Sequence, residues 1–268
     1  MKKKILICYL FTKFDKLSSF NKFINNYKKF RAGYEHDLLI CYKLLNQKVI
    51  NRLEKKILQF QHHYFKDTNQ INDWDFGSYL RVAKKYKNRN IFFMNSHSYP
   101  IKPNWLKMFM KHFKKKTIIA STASYESINK QIKLKIPPLN VFSYLKKKII
   151  SKNSFPNFPN PHLNTSSFLI NSNDLVKYLK NKKFNNKYDT WKLESGKFSL
   201  TNFFLKKGYN LLVVNSDGKK FSLNNWKESE TYHYKKQTKT IISDKHSRKY
   251  LKMNKSEKNR SQSDVWGE

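Results

Sequence analysis

Short apolar runs alternate along the chain with longer segments in which apolar residues recur at helical spacing. The runs predict buried strands at residues 4–11, 37–45, 90–94, 117–120, 166–170 and 211–214. The segments between them predict helices at residues 18–30, 49–62, 75–86, 104–113, 174–180 and 198–207. Such alternation is typical of an α/β fold with an open, mostly parallel sheet and helices on both faces.

The alternation is interrupted in two places. Residues 127–164 are rich in proline and predict a long ordered loop with one helix near 141–150; such loops are often lids or binding loops. Residues 226–243 fit either a hairpin or an added helix. From residue 245 the chain is charged and poor in core residues, although Val265 and Trp266 have side chains suited to docking. We therefore expect a domain at 1–244 and a basic, partly disordered tail at 245–268.

The formal net charge of +37 raises the question of nucleic-acid binding. The chain has 49 Lys but only 6 Arg, whereas specific readers of phosphates and bases favour the bidentate guanidinium group. The lysines are spread along the whole chain, as an A+T-rich coding bias would produce. We therefore expect no specific nucleic-acid partner, although this charge still attracts anionic membranes, nucleotides and acidic glycans.

The two cysteines, Cys8 and Cys41, both lie within predicted strands. They have neither the spacing of a zinc site nor that of a disulfide framework, so a reducing, cytoplasmic compartment is the simplest interpretation. No stretch approaches the roughly 18 consecutive apolar residues of a membrane span.

The strand at 90–94 ends in a polar run, Asn95-Ser96-His97-Ser98, which is followed by a proline and then by Trp105-Leu106. This segment resembles the GT-A glycosyltransferases, particularly their large inverting group, in which such a strand ends in Asp-x-Asp. The acidic positions of that motif fall on Asn95 and His97. The resemblance covers residues 4–218 and implies a GT-A-type sheet with its site at the carboxyl ends of the strands.

In this family the acidic pair holds Mg²⁺ or Mn²⁺ against the diphosphate of the sugar nucleotide. Hard cations prefer carboxylate oxygens, whereas Asn95 offers an amide oxygen and His97 an imidazole nitrogen. A weak site for Mn²⁺ is one expectation from these residues. The other is that Asn95, His97 and nearby lysines neutralise the diphosphate without metal. A simple polar turn after a buried strand is the structural alternative.

Two further segments match the family pattern. Asp75-Phe76-Gly77 corresponds to a Gly-containing turn that begins a helix, where Gly77 permits close backbone approach and free amide groups face the donor. Asp75 equally fits an ordinary helix cap. Glu194 occupies the position of the catalytic base at the start of a Leu-rich helix, and such a carboxylate deprotonates the acceptor hydroxyl. Its alternative role is to favour the first turn through the helix dipole.

His162, in a Pro-Asn-Pro-His segment, and Asp217, after the last strand, are candidates for contact with a phosphate or the acceptor. Phe11, Thr12 and Tyr42 follow or end the first two strands, and the resemblance places them beside the nucleotide base.

The implied activity is the transfer of a sugar, with inversion, from a nucleotide-sugar donor to a glycan or lipid-linked acceptor in cell-surface polysaccharide synthesis. Positive charge would hold the enzyme at an anionic membrane, where lipid-linked acceptors reside. A catalytically degenerate relative that only binds glycans is the first alternative, and a basic nucleic-acid-binding protein is the second.

Overall fold

The computed structural model describes residues 5–131 and 141–267, and it describes side chains there except at 131 and 141–147. The strands are β1 Ile5–Thr12, β2 His36–Lys43, β3 His62–Asp67, β4 Asn90–Met94, β5 Tyr99–Pro100, β6 Thr117–Ala120, β7 Ala123–Ser124, β8 His162–Leu163, β9 Ser167–Asn171, β10 Asn210–Val214, β11 Lys220–Phe221 and β12 Ile242–Ser243. The α-helices are α1 Leu17–Lys29, α2 Gln47–Glu54, α3 Trp74–Lys85, α4 Trp105–Met110, α5 Ile128–Gln131, α6 Val141–Ser154, α7 Ser172–Leu179, α8 Lys187–Ser195, α9 Leu200–Leu205, α10 Lys245–Leu251 and α11 Lys255–Trp266.

Eight strands form the central sheet in the order β11-β10-β6-β9-β4-β1-β2-β3. The strands β9 and β11 run antiparallel to their neighbours, and all other pairings in the sheet are parallel. The carboxyl ends of β1, β2, β4, β6 and β10 therefore meet at one edge of the sheet.

Alternate residues of the strands pack on opposite faces, as the geometry of a strand requires. In β1, Leu6, Cys8 and Leu10 join a cluster with α3, α7 and the C-terminal residues, whereas Ile7 and Tyr9 join a cluster with α1, α2 and α4. The sequence-based prediction of an open, mostly parallel α/β sheet with helices on both faces is confirmed.

Three elements differ from the sequence-based expectation. The helix expected at 49–62 ends at Glu54, and His62–Asp67 instead adds β3 at the sheet edge. The sequence of β3 mixes polar and apolar residues and has no continuous apolar run, because an edge strand has no neighbouring strand on one side. The strand β9 runs antiparallel to both of its neighbours, β4 and β6, because the connection after β6 returns the chain to the same carboxyl edge of the sheet. Within the proline-rich segment, which includes residues outside the described part, α6 extends to Ser154.

The C-terminal segment also differs, because residues 245–266 form two helices rather than a disordered tail. Side chains at the start of both helices, Asp244 and Asn254, form capping boxes with Ser247 and Glu257. Trp266 is 7% exposed, and its indole nitrogen donates to the carbonyl of Tyr232 at 2.9 Å. The domain boundary at residue 244 stays a prediction.

No helix among residues 5–131 and 141–267 is long and apolar enough to cross a membrane.

Candidate functional site

A cleft of about 760 Å³ opens at the carboxyl edge of the sheet. Its floor consists of Trp74, Asp75 and Phe76 at the start of α3, Asn95 after β4, and residues 164–166 before β9. Crevices at the carboxyl ends of strands are where open α/β sheets bind ligands. The position of this cleft therefore agrees with the site expected from the sequence.

Two helical walls flank the floor. On one side α8 contributes Lys187, Thr190, Trp191 and Glu194, whose spacing places them on one face of the helix. The opposite wall comes from the C-terminal helices, and it is formed by His246, Lys249, Met253, Glu257, Arg260, Ser261, Asp264 and Val265. The segment predicted as a tail therefore forms one wall of the cleft.

The cleft is the acidic part of a basic protein. It contains six of the 18 acidic residues, namely Asp75, Glu126, Glu194, Asp244, Glu257 and Asp264. An anionic ligand that entered its centre would meet these carboxylates, whereas a hydroxyl group would find acceptors there.

Glu194 is held in place by Thr165. The Oε1 atom of Glu194 accepts hydrogen bonds from the backbone nitrogen of Thr165 at 2.6 Å and from its hydroxyl at 2.8 Å. Glu194 lies in the last turn of α8 rather than at a helix start, so it does not stabilise a first turn through the helix dipole. Its Oε2 atom makes no hydrogen bond to a described residue, which leaves that oxygen available to a ligand in the cleft.

His162 lines the cleft beside Glu194. The ring is 6% exposed, and Nδ1 donates to the carbonyl of Asn160 at 2.8 Å. Burial lowers the pKa of His162, against the opposing effect of Glu194, so the neutral ring presents Nε2 as an acceptor.

Two other carboxyl groups of the cleft have raised pKa values. Burial raises the pKa of Asp75 to about 6, with further increases from Asp15 and Glu194 against the opposing Lys43. Burial, Asp264 and Glu194 raise the pKa of Glu126 to about 7. Neither carboxylate forms a hydrogen bond within the described part of the chain. Asp75 is not the cap of α3, since Asp73 holds the N-cap position.

Asn95 and His97 form a compact turn after β4. The side-chain oxygen of Asn95 accepts from the backbone nitrogen of His97 at 3.1 Å and from the Ser98 hydroxyl at 2.9 Å. Asn95 lines the cleft, whereas the His97 ring lies beside it with Nε2 3.7 Å from Oδ1 of Asp15. Burial has the largest effect on the pKa of His97 and lowers it. Nearby cations lower this pKa further, whereas Asp15 raises it.

These residues do not fit the divalent cation that the GT-A resemblance implies. The amide oxygen of Asn95 already accepts two hydrogen bonds, and Mg²⁺ or Mn²⁺ requires several oxygen ligands. Among the residues that the structure describes, no group of three or more His, Cys, Asp or Glu side chains is arranged to hold a metal.

Phe11 and Tyr42 do not border the cleft. Both side chains are buried on the face of the sheet that carries α1, where Phe11 packs edge-on against Phe20 and the Tyr42 hydroxyl donates to Glu54 at 2.6 Å. Strand alternation explains this, because both positions point away from α3. Thr12 does lie at the edge, where its nitrogen and hydroxyl donate to Asp15.

Gly77 and Asp217 lie elsewhere than expected. A Cβ atom at Gly77 would fall 2.0 Å from the Asp73 carboxylate, so this glycine makes room for Asp73 rather than for a ligand. Asp217 forms an exposed ion pair with Lys239 at 2.9 Å, and it does not line the cleft.

A buried ion network beneath the floor was missed by the sequence analysis. Lys43, which is 1% exposed, donates to Asp73 at 2.6 Å, and Arg81 binds both Asp73 and Asp67. A lysine at the end of a buried strand was the available signal, because a buried lysine requires a partner. This network fixes the start of α3 and hence Asp75.

The fold and the cleft define an open-sheet α/β protein with a cleft at the strand ends. No protein-family model matches the chain, and no curated protein matches it. Similar solved structures include a nucleotidyl transferase from Methanothermobacter thermautotroptrophicus, with a TM-score of 0.44, 11% identity and coverage of 78% of this chain and 85% of that chain. Mouse xyloside xylosyltransferase 1 has a TM-score of 0.40 and 11% identity, over 76% and 81% of the two chains. The glycosyltransferase GlyE of Streptococcus pneumoniae has a TM-score of 0.43 and 9% identity, over 79% of this chain and 45% of that one. At these values the likeness carries no argument about activity.

Proposed function

We propose that the chain is a glycosyltransferase that moves a sugar from a nucleotide-sugar donor to a glycan or lipid-linked acceptor. The observation that carries this proposal is the geometry of Glu194, whose carboxylate is fixed by Thr165 with one oxygen free in a cleft at the strand ends. A general base requires this combination of fixed orientation and access to the proton that it accepts.

The reaction that fits this arrangement is a direct displacement with inversion. The acceptor oxygen forms a bond to the anomeric carbon while its proton passes to Oε2 of Glu194. The bond between the anomeric carbon and the phosphate oxygen breaks, and the nucleoside diphosphate leaves with the bonding electrons. The neutral His162 accepts a hydrogen bond from another hydroxyl of the acceptor. Trp191, which is 39% exposed on the α8 wall, offers an aromatic face to a sugar ring.

The donor lies toward β1 and β4 in this proposal. Thr12, Asn95 and His97 border its nucleotide and diphosphate, and Asp75 forms the floor beneath its sugar. Asp75 and Glu126 accept hydrogen bonds from sugar hydroxyls when charged and donate when protonated, so their raised pKa values suit carbohydrate in the cleft.

A glycan-binding protein without transferase activity is the second candidate. The turn Asn95-Ser96-His97 favours it, because no carboxylate stands where the resembled family has its acidic pair. Turnover separates the two candidates, since both would bind carbohydrate.

Membrane contact is a further part of the proposal, in keeping with a cytoplasmic enzyme of cell-surface polysaccharide synthesis. Ile149, Ile150, Phe198 and Leu205 are exposed by 60%, 43%, 72% and 37%, and Lys182, Lys197, Lys206 and Lys207 lie around Phe198. We call these residues the basic apolar face. One part of this face lies on α6 and the other lies around Phe198. The backbone nitrogen of Lys197 donates to the carbonyl of Ser154, and the Tyr188 hydroxyl donates to the carbonyl of Ile150, so the two parts are joined. Apolar side chains ringed by lysines suit an anionic lipid surface.

The deciding experiment measures binding and then turnover. Calorimetry with UDP, GDP, CDP, dTDP and CMP identifies the nucleotide, and the matching nucleotide sugars are then incubated with glycan and lipid-linked acceptors. We expect one nucleotide to bind selectively and its sugar to be transferred with release of the nucleotide. Glycan binding without transfer from any donor would establish the second candidate, and pyrophosphate release from a nucleoside triphosphate and a sugar phosphate would overturn glycosyl transfer.

A further inference from the structure

The misfit between the site and a divalent cation leaves the donor diphosphate without a counter-charge from the β4 turn. A diphosphate in a partly desolvated site requires cations or donors close by. The carboxylates of the cleft centre make this requirement stronger, so positive groups near His97 are the ones that bear on donor binding.

Arg248 of α10 is fixed against this turn. Its Nη1 atom donates to the carbonyl of His97 at 3.0 Å and to the Ser243 hydroxyl at 3.1 Å, and its guanidinium lies 4.9 Å from the ring centre of Tyr99. The side chain is half-buried, and it makes no ion pair with a carboxylate of residues 5–131 or 141–267. By contrast, Arg81 and Arg89 are both bound to aspartates. An ordered guanidinium without a carboxylate partner suits an anionic ligand.

Other cations of α10 surround the same turn. After burial, Lys245 and Arg248 each lower the pKa of His97, so the positive charge of α10 lies close to the ring. His246 and Lys249 face the cleft itself. Asp15 opposes this positive charge at the His97 ring, and its oxygens accept hydrogen bonds from Thr12 and Ser96.

We propose that α10 takes the place of the metal ion: the diphosphate of the nucleotide donor binds between His97 and α10, with Arg248 as its main charged contact. This inference rests on the proposed function for the identity of the anion. Binding of the donor then requires no divalent cation, and the diphosphate lies on the cationic side of the site while the acceptor lies among the carboxylates.

The test uses calorimetry of the full chain with the nucleoside diphosphate selected by the panel, in EDTA and in Mn²⁺. We expect the same affinity in both buffers. Arg248→Gln should weaken binding about 10-fold or more, since a charge-assisted contact is lost. Arg52→Gln removes the same charge from an exposed position on α2, and it should change affinity less than about 2-fold.

A second variant and a second ligand separate failure of this inference from failure of the proposed function. Lys245→Gln alters an exposed side chain, so its expected loss of about 3-fold does not depend on how well Arg248→Gln folds. The parent nucleoside, which lacks phosphates, should bind wild type and Arg248→Gln equally. If wild type binds the diphosphate only with metal, or if the α10 variants bind like wild type, this inference fails while the proposed function survives. If wild type binds no nucleoside diphosphate in either buffer, both fail.

Discussion

The two walls of the cleft come from parts of the chain that are stabilised in different ways. The sheet side, residues 5–214, rests on strands whose apolar residues are almost all buried. The C-terminal side, residues 226–267, has one two-residue strand and depends on scattered aromatic anchors, Trp226, Tyr232 and Trp266, which join the same core cluster.

The difference extends to chemistry. The sheet side contributes Asp75 and Glu194, whereas α10 contributes the cations around His97. A transferase requires both a base for the acceptor and positive charge for the leaving diphosphate. In this proposal the sheet side therefore carries the base, and α10 carries the positive charge for the diphosphate.

The largest expected effect is on the sheet side. Glu194→Gln removes the proposed base but keeps acceptor atoms for Thr165, so the fold and nucleotide binding should be preserved. We expect kcat to fall about 10²–10⁴-fold, the usual contribution of a general base. Initial rates of nucleotide release, with calorimetry of the same sample, measure both quantities.

Thr165→Val is the matched positioning variant. It removes the hydroxyl that donates to Glu194 but leaves the backbone nitrogen, so kcat should fall by only about 10-fold, in keeping with the loss of one hydrogen bond. Full activity of Glu194→Gln would remove the base from the sheet side and contradict the comparison.

The second prediction concerns the anchor of the C-terminal side. Trp266→Ala deletes a buried indole that donates to the carbonyl of Tyr232, so we expect a loss of roughly 3 kcal/mol in the free energy of unfolding. Urea denaturation measures it. Trp191→Ala, at an exposed indole on α8, is the control and should change stability by less than about 0.5 kcal/mol. Equal stability of Trp266→Ala and wild type would mean that the C-terminal wall is not part of the cooperative fold.

The strands that apolar runs predict in the sequence are those with neighbours on both sides. Residues 90–94 and 117–120 match β4 and β6 because a fully buried strand must be apolar throughout. The edge strand β3 and the C-terminal helices were missed because half of each remains polar. The capping boxes at Asp244 and Asn254 were visible signals of α10 and α11, but the high lysine content obscured them.

The site was predictable where chemistry depends on a short motif. Asp75, Asn95, His162 and Glu194 were all singled out from the sequence, and the structure places them around one cleft. Their partners were not predictable, because the contacts of Thr165 with Glu194 and of Arg248 with His97 join residues far apart in the chain. The burial of Phe11 and Tyr42 on the face that carries α1 was not predictable either, because the choice of face depends on strand register.

The third prediction concerns Glu126, where the two sides meet. Its pKa is about 7 in the folded chain and 4.5 without the fold, so the folded state retains a proton that the unfolded state releases between these values. Stability therefore falls as pH rises from 4.5 to 7, and Glu126→Gln removes this loss. We expect the variant to match wild type near pH 4.5 and to exceed it above pH 7 by on the order of 1–2 kcal/mol.

Thermal denaturation across this pH range measures the effect. Glu228→Gln removes the same charge at an exposed site and should show no such divergence. A constant difference between Glu126→Gln and wild type at all pH values would exclude a protonated Glu126 between the walls.

The smallest expected effect compares the outer surfaces of the two sides. The basic apolar face belongs to the sheet side, so Phe198→Ser should weaken binding to phosphatidylcholine vesicles containing phosphatidylglycerol by about 5–10-fold, the loss expected from one partly inserted aromatic ring. Leu251→Ser, at a residue of α10 that is 52% exposed, makes a comparable change on the C-terminal side and should leave binding unchanged.

Co-sedimentation at raised salt is the appropriate measurement, because the net charge of +37 attracts any anionic vesicle when charge is unscreened. If both variants bind like wild type, the charge alone holds the protein at the membrane and no particular face is involved. If Leu251→Ser is the weaker binder, the membrane lies against α10 and competes there with the donor.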